Sequence, residues 1–167
     1  GNQALVMDVK VGTGAFMDSM DKARALARSI IGTADAAGLR THALVTDMNQ
    51  VLGTTAGNAV EMRETLDYLT GRARDPRLHE VTLALVAEMQ VAGGVAADRS
   101  AARARALDAL DSGRAAEIFG RMLNALGGPS DFMERADSYM PAAPVSRPVA
   151  SGASGYLAGV DTRAVGN

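Results

Sequence analysis

Apolar and polar positions follow two different periods along this chain. From Leu5 to Phe16 the string LVMDVKVGTGAF joins an apolar, β-rich run to a Gly-rich turn. Met20, Ala23, Leu26, Ala27, Ile30 and Ile31 then recur at helical spacing, with Asp18 positioned to cap the helix and Gly38 to end it. Thr41 to Thr46, THALVT, returns to a β pattern. A helix of this length is the usual crossover between parallel strands, so residues 1–47 are predicted to form one βαβ unit.

Helical spacing dominates the middle of the chain. Asn58 and Glu61 make an N-x-x-E capping pattern for a helix running to about Leu69. Asp75-Pro76 is a helix start, with Asp75 as cap and Pro76 in the first turn. Leu78, Val81, Leu85, Val86 and Met89 then mark a buried face up to Gly93-Gly94. Ala101 to Leu110 and Arg114 to Leu126 read as two more helices, divided at Ser112-Gly113. No strand separates these helices and no internal repeat is visible, which is unlike a repeating βα barrel. From Gly127 the texture turns to proline, glycine and serine. Val145 to Ser151 reads as extended, Gly155 to Gly159 as a short β partner for it, and VDTRAV at the end as helical.

In open α/β sheets ligands gather at the carboxyl ends of the strands, and two loops fall there. The first is the Gly-rich turn, where Gly12 and Gly14 permit positive φ and bring backbone N–H groups close to an anion or ligand. The following helix start adds further N–H groups. The second is Asp47, Met48, Asn49 and Gln50. Asp8 and Lys10 share strand parity and project to one face, which on spacing alone reads as an ion pair rather than a catalytic pair. The turn lacks GxxxxGK[ST] and the third glycine of a dinucleotide fingerprint, so neither motif applies.

Composition narrows the class. The 167 residues are 47% hydrophobic and 22% charged, which suits one globular domain with a real core. A formal net charge of -2 argues against a broad nucleic-acid footprint. The absence of cysteine excludes disulfides and thiolate metal sites and is compatible with a reducing, cytoplasmic setting. Val81 to Ala97 is the most apolar helical stretch, but Glu88 and Gly93-Gly94 interrupt it, so no membrane span is expected. GNQALVMDVK has no basic region before an apolar one, hence no signal peptide, and its direct opening into a strand points to a missing upstream part. His42 and His79 have no carboxylate or second histidine at ligand spacing and read as structural or surface residues. The nine methionines read as core filling.

Five strings in order, ALVMDVKVGTGAFM, TDMNQVLGTTAGNAVEMRE, DPRLHEVTLALVAEM, GRAAEIFGRML and GYLAGVDTRAVG, resemble the thymidine phosphorylases of the pyrimidine nucleoside phosphorylase family. The resemblance runs from about Ala4 to Gly166. It implies an α/β fold, a partial parallel or mixed sheet flanked by helices, like the large domain of the nucleoside phosphorylases and phosphoribosyltransferases. Residues 1–143 would be the central part of that domain, and 144–167 a linker and the start of a C-terminal module.

The activity implied by the resemblance is cleavage of thymidine by inorganic phosphate, in a cytoplasmic homodimer without an organic cofactor. The family's phosphate loop and base-reading residues lie upstream of the matching strings, so the catalytic residues have no counterparts here. Phe16 matches an apolar wall of the pyrimidine pocket, the alternative being a core residue under the turn. Asp8, Lys10, Gly12, Thr13 and Gly14 would line the cleft. Leu52, Thr55 and Glu64 match ligands of a monovalent cation, and hard oxygen donors suit such an ion; Glu64 also reads as a solvated helix residue. Two other readings stand beside this one. An anthranilate-type phosphoribosyltransferase has a similar fold but is expected to carry adjacent acidic residues, and no Asp-Glu or Glu-Asp pair occurs. The other is a catalytically inert folding or assembly module.

Overall fold

The computed structural model describes residues 2–166. Strands β1 (Ala4–Val11) and β2 (Arg40–Asp47) form a two-stranded parallel sheet, in register from Ala4 against Arg40 to Val11 against Asp47. They are joined through α1 (Met20–Ala36), as the pattern of residues 1–47 predicts. The helices α2 (Asn58–Thr70), α3 (Pro76–Ala92), α4 (Arg99–Asp111), α5 (Arg114–Ala125), α6 (Phe132–Tyr139) and α7 (Thr162–Gly166) come next, without another strand among the described residues. The architecture is α/β, a small parallel sheet flanked by helices.

Strand parity decides what covers each face. Val9 packs with Ala23 and Ala27 of α1, and Met7, Val11, Met17, Ala43 and Val45 close around them. The even-numbered face takes α3, where His42 of β2 meets Glu88. A second cluster lies away from the sheet, with Tyr68, Leu83, Ala106 and Leu110 knitting α2, α3 and α4 together.

Helix ends and buried faces differ in detail from the sequence pattern. Ser19, not Asp18, caps α1, its hydroxyl accepting from the Lys22 N–H at 3.4 Å, while Asp18 pairs with the Lys22 ammonium at 2.8 Å. Alanines 23 and 27 are buried while Met20 and Leu26 are exposed, because small side chains let the helix lie close on the strands. Gly57 occupies the cap of α2 and Asn58 is its first helical residue; Glu61 still reaches back to the Gly57 N–H at 2.8 Å. Asp75 caps α3 as expected, accepting from the N–H groups of Arg77 and Leu78 at 2.9 Å each.

The buried line of α3 is Leu83, Ala87, Glu88 and Ala92, and Met89 is 51% exposed. Sheet and α4 both pack on α3, so two of its faces are covered and Met89 lies on a third. The Pro/Gly/Ser-rich stretch hides α6, whose Phe132 and Tyr139 rings stack at 6.2 Å. Residues 141–161 carry neither helix nor strand, so the β structure expected at 145–151 and 155–159 is absent. Pro144 and Pro148 remove ladder donors there. The terminal helix expected in VDTRAV is present as α7.

Candidate functional site

At the carboxyl ends of β1 and β2 lies a cleft of about 350 Å³, lined among others by Lys10, Thr46, Asp47, Leu52, Thr55, Glu64 and Thr162. A larger hollow of about 580 Å³ lies between α2 and α6. Most of its charges are already matched, Arg63 with Asp137 at 2.9 Å and Arg72 with Asp67 at 2.7 Å, and it shares no lining residue with the cleft at the strand ends.

Asp8, Gly12, Thr13 and Gly14, expected to line the cleft with Lys10, are not among its lining residues, and the Gly-rich turn sits behind Met48 and Thr162 without offering its backbone to a ligand. Gly12 N–H donates to Met17 O at 3.1 Å, Thr13 N–H to Asn49 Oδ1 at 3.1 Å, Gly14 N–H to Met48 O at 3.0 Å and Ala15 N–H to Gly12 O at 3.0 Å. Four successive donors are thus spent on the protein itself, and the anion cradle expected of this turn is not formed. The glycines serve close packing instead. Gly12 has φ +133°, and a Cβ there would sit 2.8 Å from Asn49; at Gly14 a Cβ would meet the Thr162 side chain at 2.8 Å.

Asp8 and Lys10 do share a face, and they form an ion pair. The Thr46 hydroxyl donates to the other carboxylate oxygen of Asp8. Both residues are therefore held as a polar group at the mouth of the cleft, with Asp8 the more covered of the two.

Leu52, Thr55 and Glu64 come together on one wall. Glu64 is not a solvated helix residue: its carboxylate accepts from the Thr54 N–H at 2.7 Å, the Thr54 hydroxyl at 2.8 Å and the Thr55 hydroxyl at 2.5 Å. Burial is the largest single influence on this carboxyl and pushes its pKa up, but the bonds from Thr55 and Thr54 together outweigh it and leave the pKa below the ordinary value. Carboxylate and hydroxyl oxygens on one wall are the donor set of a hard cation. Among the described residues no group of three or more His, Cys, Asp or Glu is placed to hold a metal.

Phe16 is 96% exposed, so it is not a core residue under the turn. Its ring stands in solvent beside the rim and is not one of the side chains that line the cleft.

Three features of the rim depend on contacts distant in sequence. Arg77 donates to Val51 O at 2.6 Å and to Asp47 O at 2.7 Å, pinning the loop after β2 to the start of α3. Thr13 Oγ1 donates to Val160 O at 2.9 Å, and Arg163 donates to Ala15 O at 2.8 Å, so residues 160–163 lie on the turn. Arg77 and Thr162 both stand in strings that carry the family resemblance, DPRLHEVTLALVAEM and GYLAGVDTRAVG, but nothing in either string shows that the side chain reaches the rim. Away from the rim, His42 Nδ1 lies 2.9 Å from Glu88 Oε2, a partner 46 residues on that no ligand spacing reveals. His79 Nδ1 meets the Tyr68 hydroxyl at 3.0 Å. Both histidines have structural roles.

The sequence model described as glycosyl transferase family, a/b domain, matches residues 1–116. The chain belongs to this glycosyl transferase family. The family includes thymidine phosphorylases and anthranilate phosphoribosyltransferases, so its members transfer pentosyl groups. In this glycosyl transferase domain every site residue named from the sequence lies within the matched span, and Thr162 and Arg163 lie beyond it. Among the described residues no helix is long and apolar enough to cross a membrane.

Proposed function

We propose that this chain forms part of a thymidine phosphorylase, in which inorganic phosphate displaces the base of a pyrimidine nucleoside. A phosphate oxygen bonds to the anomeric carbon as the C–N bond breaks, and the departing pyrimidine takes the electron pair. Products are thymine and 2-deoxyribose 1-phosphate. The protein's work in such a step is to position two substrates and to supply positive charge where negative charge develops.

The observation that carries this reading is the cleft at the strand ends, where Lys10, Thr46, Thr55 and Glu64 converge. Lys10 gives positive charge to the mouth, tempered by Asp8. Phe16, exposed beside the rim, offers a flat apolar surface to a pyrimidine ring. Leu52, Thr55 and Glu64 would contribute oxygen ligands to a monovalent cation, which when bound would add positive charge near the phosphate. In this reading the working protein is a cytoplasmic homodimer, its phosphate and base contacts come chiefly from outside these residues, and the chain alone is inert.

The test is release of thymine from thymidine, dependent on phosphate, by this chain and by its full reading frame. Release by the longer protein alone is expected. Turnover of anthranilate with phosphoribosyl diphosphate instead would move the assignment to the other branch of the family. Activity of the short chain would show that the catalytic groups are within it.

A further inference from the structure

Residues 160–166 reach the cleft from the far end of the chain. Thr162 is 5% exposed, although it comes after twenty-one residues, 141–161, that carry neither helix nor strand. Its hydroxyl lies 3.2 Å from the Thr13 hydroxyl, and Thr13 in turn donates to Val160 O at 2.9 Å. Gly14 completes the seat, since any Cβ there would strike Thr162. Thr162 and Gly166 line the cleft together with Lys10, Thr46 and Glu64. The segment is a wall of the site, though it lies outside the span that the family's model matches.

What holds this wall is polar and small. Tyr156 and Leu157 just before it are exposed, Val165 within it is 53% exposed and Val160 is only half-buried, so the segment is held chiefly by the Thr13 and Thr162 bonds and by Arg163 donating to Ala15 O at 2.8 Å. A segment fastened by a few hydrogen bonds and tethered by exposed coil opens at low free energy compared with the helices and strands around it. We propose that residues 160–166 are a movable strap over the cleft, latched by Thr13 and Thr162, and that the strap opens and closes as ligands exchange. The ligand exchange rests on the phosphorylase reading; the latch rests on geometry alone.

These 167 residues contain no cysteine, so a Thr13→Cys/Thr162→Cys pair has no competing thiol within them, and any cysteine elsewhere in the full reading frame is replaced by serine first. In the full reading frame the oxidised pair is expected to lower thymidine phosphorolysis at least tenfold, with recovery on reduction. Equal kcat and KM in the oxidised and reduced forms would overturn the strap, as would failure of the pair to oxidise in the folded protein. A second measurement needs no activity. Thr162→Val should speed amide exchange at 13–15 and 162–166 at least tenfold and leave β2 unchanged, whereas unchanged exchange in the strap would overturn the latch. Parent protein without turnover, combined with fast exchange in Thr162→Val, would leave the latch in place and remove the phosphorylase reading.

Discussion

The guanidinium of Arg77 donates to both the carbonyl and the carboxylate of Asp47, at 2.7 and 3.1 Å. The same side chain holds Val51 O at 2.6 Å, so one planar fork fixes both ends of the loop from Asp47 to Val51. Asp47 in turn bonds Asn49, and Asn49 receives the Thr13 N–H. The first turn of α3 is thereby linked to the Gly-rich turn through side chains that never meet in sequence. Arg77→Ala is expected to cost about 1.5–3 kcal/mol, and Arg77→Lys should recover only part, because an ammonium cannot span these acceptors. Denaturant titration gives the energy, and faster amide exchange confined to 47–53 would identify the loop.

Gly12 and Gly38 separate strain from collision. Both have positive φ, +133° and +76°, but a Cβ at Gly38 has open space while one at Gly12 meets Asn49. Gly38→Ala should cost about 1 kcal/mol and Gly12→Ala about 2 kcal/mol or more. Equal losses in thermal unfolding would show that the turn yields around Asn49.

Glu88 lies buried between His42 and Arg99. The bond from Arg99 is the largest influence and lowers its pKa, burial opposes it, and His42 adds to the lowering. A carboxyl with a depressed pKa contributes stability above its unfolded value of about 4.5, and that contribution is lost as pH falls through the folded value. Glu88→Gln should therefore be less stable by about 2–3 kcal/mol at pH 7. The gap from the parent should narrow on acidification below 4.5, which parallel denaturant titrations at neutral and acid pH would read.

Glu64 organises the loop of Thr54 and Thr55 and is the carboxylate of the proposed cation site. Glu64→Gln should raise the half-saturating potassium concentration for phosphorolysis at least tenfold in the full reading frame. A potassium response equal to the parent's would remove Glu64 from that site.

Phe16 gives a test in which stability and function part. With its ring in solvent, Phe16→Ala should change unfolding free energy by no more than about 0.5 kcal/mol. If the ring stacks on the pyrimidine, KM for thymidine should rise roughly tenfold. An unchanged KM would exclude that contact.

Some of this architecture is legible from local pattern alone. The βαβ unit arises from two apolar runs flanking a helical stripe, and the Asp75-Pro76 start of α3 from capping chemistry, because both depend on neighbours in sequence. The common face of Asp8 and Lys10 comes from strand parity. The exposure of Met89 was not legible, since helical periodicity marks an apolar face without saying how many elements will cover the helix. The fate of the Gly-rich turn was hidden too: GTG permits a nest of N–H groups, but Met17, Met48 and Asn49 claim the donors first.

The sequence by itself determined the strand–helix–strand opening, the helices α2 to α5 and membership of the glycosyl transferase family, because spacing and turn chemistry act over a few residues. Tertiary structure alone decided that Glu64 is tied into its loop, that Glu88 pairs with His42, and that Arg77 and Thr162 complete the rim. Those relations join side chains 9 to 149 residues apart. Hydrogen bonds over such separations depend on where the packed helices and the returning chain end place their donors, and no local periodicity encodes that placement.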